Sequence, residues 1–481
     1  MLKHFAWDIA GKSGSLAITL ISSFVLTRYL EPAEFGPAAV AIVIAYILSI
    51  FQELGLYRAL VQRDVLGNHE YNSAFTVHLM AGILLGVCCF FSAKPIADFY
   101  ELPLLEFFLK VISAGFVFNS IALVPTARLT REMHFKALSV SGIGSALLAS
   151  VISIVIVLKG YGAWSLVVQY LLTLLFNAIF LTVYVNWKPG FDYKSVYFLP
   201  LWKYARPMYY STLLSNLVAK LDVIIVGKIF PTAVLGHYSR AQSIDSASRS
   251  LTGGSFHSVF FSLVSKHQAK RNQLLELYKR YLHLAAFFSA ALTGLLYIVS
   301  PDLFVLMFTA KWTEAAYYFQ VMSIASFTWP IGSLMVTIIA GVGNSKAYFK
   351  LEGLKTGLQL LFYVFAFWQG LNFFLWTLVV MRLLFLMSNA WFVSRELAIK
   401  PGHQMLIILP YVLNAIFAAW ISVLLINYSG VENNLPRAML LLVVYSTIFL
   451  FIQYFLKTAA IRDLLVVWKN RVSRKQIQPG T

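Results

Sequence analysis

Residues 26–36 read Leu26-Thr-Arg-Tyr-Leu-Glu-Pro-Ala-Glu-Phe-Gly36, and residues 226–236 read Val226-Gly-Lys-Ile-Phe-Pro-Thr-Ala-Val-Leu-Gly236. At an offset of 200 residues, Arg28 meets Lys228, Ala33 meets Ala233, Phe35 meets Leu235 and Gly36 meets Gly236. Each stretch closes one apolar run, turns at a proline and opens the next, which is the punctuation of a helix end followed by a helix start. The match continues with Lys110-Val-Ile-Ser113 against Gln320-Val-Met-Ser323 and His134-Phe-Lys136 against Tyr348-Phe-Lys350. The offset drifts from 200 to 214, as loop insertions would make it. The chain is thus a duplicated unit, read as 1–190 and 191–400, with 401–481 outside the repeat.

Composition decides what the repeated unit is. Of 481 residues, 59% are hydrophobic and only 12% are charged, with a mean hydropathy of +0.74. A soluble domain carries about 25% charge. A transmembrane helix needs about 20 mostly apolar residues. Fourteen segments qualify, near 8–28, 36–57, 74–94, 107–126, 139–158, 163–185, 206–227, 234–262, 281–300, 316–341, 348–369, 371–393, 405–426 and 437–456. Six passes separate the two copies of the motif, an even number, so the halves point the same way across the membrane. The expected fold is an all-α polytopic membrane protein of about 14 helices, with two parallel-repeat six-helix lobes and a C-terminal helix pair. The short connectors leave no room for a large soluble domain. Asp8 and Lys12 interrupt the first segment and no small-residue cleavage site follows, so it is read as a retained helix, not a signal peptide.

The net charge is +18, from 38 Lys+Arg against 20 Asp+Glu. About 25 of the basic residues fall in the termini and one alternate set of connectors, and 6 fall in the other set. The positive-inside rule makes the rich set cytoplasmic, with both termini inside. Attraction to anionic lipid accounts for these loops, and nucleic acid is not needed. Cys88 and Cys89 are adjacent in an apolar run and cannot build a disulfide framework or a zinc site.

The minority of charge inside the helices is more informative, because a charge at the bilayer centre costs about 2.5–3.5 kcal/mol and normally faces a cavity or a partner. Asp8, Lys12, Ser15 and Thr19 share one face of the first helix, and Ser49, Glu53 and Tyr57 align in the second. Asn216, Lys220 and Asp222 cluster in the seventh. The eighth is the most polar, with His237, Tyr238, Arg240, Gln242, Asp245, Arg249 and His257. Asp245 and Arg249 are four apart and can pair. Glu352, Lys355 and Gln359 share a face of the eleventh, and Arg382 stands alone in the twelfth. Asp8, Arg28, Lys228 and Glu352 read as internal ion pairs or as charges snorkelling from helix ends. The basic residues Lys12, Lys110, Lys220, Arg240, Arg249, Lys355 and Arg382 outnumber the deep acids, which points to an anionic substrate group. Arginine suits phosphate through its planar fork of donors.

Other motifs fail. Gly11-Lys12-Ser13 resembles the end of a P-loop, but Ala6 stands where its first glycine belongs and no strand precedes it. The nine histidines lack metal-binding spacing, so no metal site is expected. Gly82-Ile-Leu-Leu-Gly86 reads as helix packing. Asn427-Tyr-Ser429 is a glycosylation sequon by pattern alone. Trp329-Pro330 interrupts the tenth helix, as a kink or gate or as a packing kink.

Several short motifs in fixed order carry a family resemblance. They are Glu34-Phe-Gly36, Glu53-Leu-Gly-Leu56 to Val61-Gln-Arg-Asp64, Arg131-Glu-Met-His-Phe135 and Gly160-Tyr-Gly-Ala-Trp164. Leu221-Asp222, Leu235-Gly-His-Tyr-Ser-Arg-Ala241 and Phe308-Thr-Ala-Lys-Trp312 complete the set. The chain resembles the Wzx-type flippases, the polysaccharide-transporter branch of the multidrug/oligosaccharidyl-lipid/polysaccharide (MOP) superfamily. Tyr57-Arg58 departs from the small residues usual after Gly-Leu there. The resemblance implies translocation of undecaprenyl-diphosphate-linked oligosaccharide across a bacterial inner membrane. It implies two lobes around a cationic cavity, with an extra helix pair for the lipid tail. Expected cavity residues are Lys12, Lys220, Arg240, Arg249, Lys355 and Arg382. Asp8, Glu53, Asp222 and Asp245 are candidates for ion coupling or cavity ion pairs. No cofactor is expected beyond coupling to protons, sodium or the membrane potential. Expected partners are the lipid-linked oligosaccharide, membrane lipids, a polysaccharide polymerase and chain-length proteins. Two other classes compete. A cation-coupled drug exporter should favour acids over bases in its site, and a polymerase or ligase should carry catalytic residues on a sizeable outer loop.

Overall fold

The computed structural model describes residues 2–63, 66–185, 187–267, 271–342, 344–366, 369–431 and 433–466. These residues form helices and no strand. In the first part of the chain the helices are α1 (Leu2–Tyr29), α2 (Pro32–Glu53), α3 (Leu56–Gln62), α4 (Asn68–Tyr100), α5 (Pro103–Ile112), α6 (Gly115–Arg131), α7 (Phe135–Leu158), α8 (Trp164–Val185), α9 (Ser195–Val218) and α10 (Leu221–Ile229). The remainder are α11 (Thr232–His267), α12 (Arg271–Phe308), α13 (Thr313–Ile324), α14 (Thr328–Gly341), α15 (Ser345–Ala366), α16 (Leu371–Leu397), α17 (Pro401–Tyr428) and α18 (Asn434–Phe455).

Eleven segments among the described residues are long and apolar enough to cross a membrane, counting α5–α6 and α13–α14 as one each. Three more long stretches, α9–α10, α11 and α15, are not among those eleven. They carry the densest intramembrane polarity, with Arg240, Asp245 and Arg249 within one stretch of α11 and Glu352 and Lys355 on α15. With the eleven candidate spans they make fourteen long helical stretches among the described residues of a multi-pass membrane protein.

The repeated motif makes the same junction twice. At the first copy, Pro32 opens α2 at a position where its missing N–H costs nothing. The Glu34 carboxylate accepts the Glu31 backbone N–H at 3.1 Å. A carboxylate here caps the helix and complements its dipole. At the second copy, extended Phe230 ends α10, and α11 starts at Thr232. The two glycines are packing requirements. A Cβ on Gly36 would stand 2.6 Å from the Thr232 carbonyl oxygen, and one on Gly236 would overlap that of Pro32. The two copies of the motif therefore lie backbone against backbone.

One expectation from the sequence needs correction. Leu54 (φ 47°) and Gly55 (φ 67°) end α2 after Glu53, so Tyr57 starts a new helix and does not share a face with Ser49 and Glu53. Its hydroxyl instead meets Thr130 Oγ1 at 3.1 Å. The interruption at Trp329-Pro330 is a break at Ala325–Phe327 between α13 and α14, with Pro330 in the first turn of α14. A matching break at Ser113–Ala114 separates α5 from α6.

By packing, the chain divides into two compact units, Met1–Ser239 and Arg240–Thr481. In the first, α1 packs along α7 and α7 along α8, with α6 against α4 and α8. Gly82 sits where any Cβ would strike Ser120 and Gln52, and Gly86 approaches the Ser113 carbonyl, so this pair serves helix contact. In the second unit α12 is central, flanked by α13, α14, α17 and α18. Its core is tied by polar contacts buried among aromatic rings. The Tyr278 hydroxyl donates to Gln404 at 2.6 Å, that of Tyr445 donates to the Ala291 carbonyl at 3.0 Å, and His283 meets the Tyr411 hydroxyl at 3.0 Å. The C-terminal pair α17–α18 thus belongs to this unit.

Candidate functional site

The second unit contains a cluster of buried charge built from three helices. Asp245 on α11 is fully buried. One turn on, Arg249 reaches its Oδ2 at 3.1 Å, as the four-residue spacing predicts. Arg382 on α16 reaches the same oxygen at 2.8 Å. Ser326, at the break between α13 and α14, donates to Asp245 Oδ1 at 2.5 Å. Arg382 also donates to the Met322 carbonyl at 2.7 Å and to Ser326 at 3.3 Å. The helix break matters here because it frees carbonyls that an unbroken helix would occupy. The Arg249 guanidinium lies 5.3 Å from the Trp329 ring centroid. Two guanidiniums on one carboxylate leave a net positive charge. Both arginine side chains retain some exposure, at 21% and 17%. A small cavity beside them is lined by Ser248, Arg249, Ser289, Thr293, Ser323 and Ser326. Hydroxyl groups and an arginine fork together are donors suited to an anion.

The first unit has a cavity at its own helix break, between α2, α5–α6 and α8; it shares the repeat positions of Ser49 and Phe116 with Arg249 and Ser326, while the second cavity is closed by α12. Its lining includes Ala45, Ser49, Gln52, Phe116, Asn119 and Tyr170. At the offset of 200, Ala45 matches Asp245 and Ser49 matches Arg249. At the offset of 210 set by Ser113 and Ser323, Phe116 matches Ser326. A further repeat supplies the last pair. Trp164-Ser-Leu-Val-Val-Gln-Tyr-Leu-Leu172 on α8 parallels Trp376-Thr-Leu-Val-Val-Met-Arg-Leu-Leu384 on α16, which sets Tyr170 against Arg382. The first cavity is neutral. Fully buried Gln52 donates to the Phe116 carbonyl at 2.7 Å and to Ser120 at 2.6 Å, and its carbonyl accepts from Asn119 at 3.0 Å. Ser120 in turn donates to the His78 carbonyl at 2.9 Å.

The other expected site residues fall elsewhere. Arg240 is only 1% exposed, with its guanidinium 4.4 Å from the Phe308 ring and 6.0 Å from that of Trp312. It is packed against aromatic faces, an arrangement that stabilises a desolvated cation. Lys220 lies 5.3 Å above the Tyr46 ring. Buried Asp222 accepts the Tyr238 hydroxyl at 2.8 Å. Lys355 pairs with Glu352 at 2.9 Å, and Lys110 with Glu106 at 2.5 Å. Lys228 donates to the Phe99 carbonyl at 2.5 Å and to Glu101 at 3.2 Å, so it ties α10 to the end of α4. Lys12 and Glu53 are exposed on α1 and α2. The side chain of Asp8 lies outside the described residues. Within the second unit the structure brings together Arg249, Arg382 and Asp245. Among the described residues no group of three metal-binding side chains occurs.

Gln52, Asn119, Tyr170 and Ser326 are absent from the sequence reading of the site. Uncharged residues in a long apolar helix carry little signal. The repeat on α8 and α16 is the signal that would have found Tyr170 and placed Arg382.

Comparison with known proteins matches these observations to a family. The polysaccharide biosynthesis protein family matches residues 25–317. The chain is 22% identical to the succinoglycan biosynthesis transport protein ExoT of Rhizobium meliloti, over 72% of this chain and 70% of ExoT. It is 21% identical to the lipopolysaccharide biosynthesis protein WzxC of Escherichia coli, over 73% of this chain and 72% of WzxC. Among solved structures, the lipid II flippase MurJ in an inward closed conformation superposes with a TM-score of 0.76 at 15% identity, covering 96% of this chain and 100% of MurJ. An inward-facing multidrug MATE transporter of the MOP superfamily gives 0.60 at 15% identity, covering 81% of this chain and 98% of the transporter. At such identity these two establish the fold alone.

Proposed function

From a chain that belongs to the polysaccharide biosynthesis protein family, we infer a flippase that moves lipid-linked oligosaccharide across the membrane for the synthesis of cell-surface polysaccharide. The observation that carries this reading is the pair Arg249 and Arg382 converging on Asp245 beside a hydroxyl-lined cavity. A cationic cluster of that kind holds an anion inside a membrane protein, and the anion of a lipid-linked sugar is its diphosphate. The fold alone would serve a drug exporter equally well, since MATE transporters share it. The family and the named relatives favour polysaccharide transport, and the protein is a transporter, not an enzyme.

In this reading the carrier lipid is undecaprenyl diphosphate and the membrane is the bacterial inner membrane, with both termini cytoplasmic. The basic connectors support that orientation. The sugar cannot cross hydrocarbon unaided, so it travels through the protein interior while the isoprenoid tail stays in lipid. Access alternates between the two faces. With the cell interior negative, moving net negative charge outward is favoured by about 2.3 kcal/mol per charge per 100 mV. Protons or sodium are further coupling species, with Asp8, Glu53, Asp222 and Asp245 as candidate carriers. A polysaccharide polymerase and chain-length proteins are the partners that receive the product.

The test is complementation of a flippase-deficient strain. Replacement of both Arg249 and Arg382 with Gln should abolish complementation at normal membrane levels and cause lipid-linked oligosaccharide to accumulate. Full complementation would overturn the assignment of these arginines.

A further inference from the structure

The neutral cavity of the first unit has no part in the diphosphate reading. Its groups nevertheless point to a ligand. Gln52 is saturated by Phe116, Ser120 and Asn119, and so holds Asn119 in a fixed pose. One N–H of Asn119 is used in that bond. Its second N–H and its Oδ1 have no protein partner among the described residues, and the residue lines the cavity. Tyr170 also lines the cavity, and its hydroxyl likewise has none. Ser49 donates to the Tyr46 carbonyl at 2.6 Å and keeps its acceptor lone pairs for a ligand. No charged side chain is among the lining residues.

The Asn119 amide and the Tyr170 phenol each donate and accept, and Ser49 accepts, which matches alcohol groups that both donate and accept. Phe116 and Tyr170 add apolar surface beside those polar groups. Phosphate would find no cation here, whereas the cavity of the second unit is lined by Arg249, whose partner Asp245 also holds Arg382. We propose that the first-unit cavity is a glycosyl subsite, which binds an uncharged, hydroxyl-bearing sugar ring of the cargo through Asn119, Tyr170 and Ser49. This proposal rests on the flippase reading. It divides the two chemistries of one cargo between two related pockets, with sugar hydroxyls at the first and phosphate at the second.

The experiment measures binding of two lipids to full-length protein in nanodiscs. One is an isoprenyl diphosphate bearing a neutral oligosaccharide, and the other is the same isoprenyl diphosphate without sugar. Wild type should bind the glycan-bearing lipid more tightly. Tyr170→Phe, which removes one hydroxyl and keeps the ring, and Asn119→Ala should each weaken the glycan-bearing lipid about tenfold. Both should leave the sugar-free lipid unchanged. Arg249→Gln should weaken both lipids alike. Equal wild-type affinity for the two lipids, no effect of Tyr170→Phe, or an equal loss for both lipids in the Tyr170 and Asn119 variants would overturn the subsite alone. Failure of wild type to bind either lipid would overturn the flippase reading and the subsite with it.

Discussion

The two related cavities share an architecture and differ in charge. Where the first unit has Ala45, Ser49, Phe116 and Tyr170, the second has Asp245, Arg249, Ser326 and Arg382. Both stand at the same helix break of the repeat, the first closed by α8 and the second by α12. In the first, a buried amide network closes the polar ledger with neutral hydrogen bonds around Gln52. In the second, a single buried carboxylate holds two guanidiniums. The scaffold fixes where a pocket forms, and a handful of substitutions fix what it binds.

The comparison can be broken at its strongest point first. Asp245→Ala leaves two partly buried guanidiniums without their counter-ion, a change that costs about 3–5 kcal/mol in buried pairs. The folded fraction should fall sharply, as read by the thermal midpoint in detergent. Converting the second pocket to the first, as Asp245→Ala, Arg249→Ser and Arg382→Tyr together, removes the whole charged cluster. Because replacing an entire buried ion cluster is often neutral, the triple variant should recover the lost stability and still fail to transport. A triple variant as unstable as Asp245→Ala would show that the pockets are not interchangeable parts of one scaffold.

Gly236→Val should come next. The overlap with the Pro32 carbonyl forces backbone apart at the junction where the repeated motifs meet. A cost of about 1–3 kcal/mol is typical of overpacking. Reduced membrane levels would report it, and a variant with normal levels would break the account of the duplicated junction. Gln52→Leu tests the neutral network. It should cost about 1–3 kcal/mol by leaving Asn119 and the Phe116 carbonyl short of a partner. That is less than Asp245→Ala, because no bare charge is left behind. A larger loss at Gln52 than at Asp245 would reverse the contrast.

The smallest effect lies outside the membrane. Between α8 and α9, Lys194 at 3.3 Å and His69 at 3.0 Å hold the Asp192 carboxyl below its usual range. Since that pKa is lowered in the folded state, the interaction is present above the ordinary Asp value near 3.8 and is lost as pH falls through the lowered value. Amide exchange in residues 187–194 should rise in acid, and Asp192→Asn should remove most of that pH dependence while leaving both cavities intact.

Much of this was legible in the sequence for physical reasons. Twenty apolar residues must form a helix in lipid, so eleven of the fourteen expected passes stand out by hydropathy, and the three polar ones do not. The repeat at 26–36 and 226–236 made the duplication visible. Asp245 and Arg249 announced their pairing through one helical turn. Arg382 was visible as a costly charge, but its partner lies 137 residues away and no local spacing links them. Polarity alone also cannot tell an arginine facing a cavity from one laid on aromatic rings, as Arg240 is. The helix break at Leu54–Gly55 escaped the reading because apolar residues run through it, and only the positive φ values reveal the turn.

The central claim is that Arg249 and Arg382 hold the anionic group of the cargo. The most direct measurement is translocation of an isoprenyl-diphosphate-linked oligosaccharide in proteoliposomes, with wild type and the Arg249→Gln, Arg382→Gln double variant reconstituted at equal density. The account predicts transport by wild type and a loss of at least about tenfold in the double variant, equivalent to roughly 1.4 kcal/mol. Equal rates for the two proteins would contradict it.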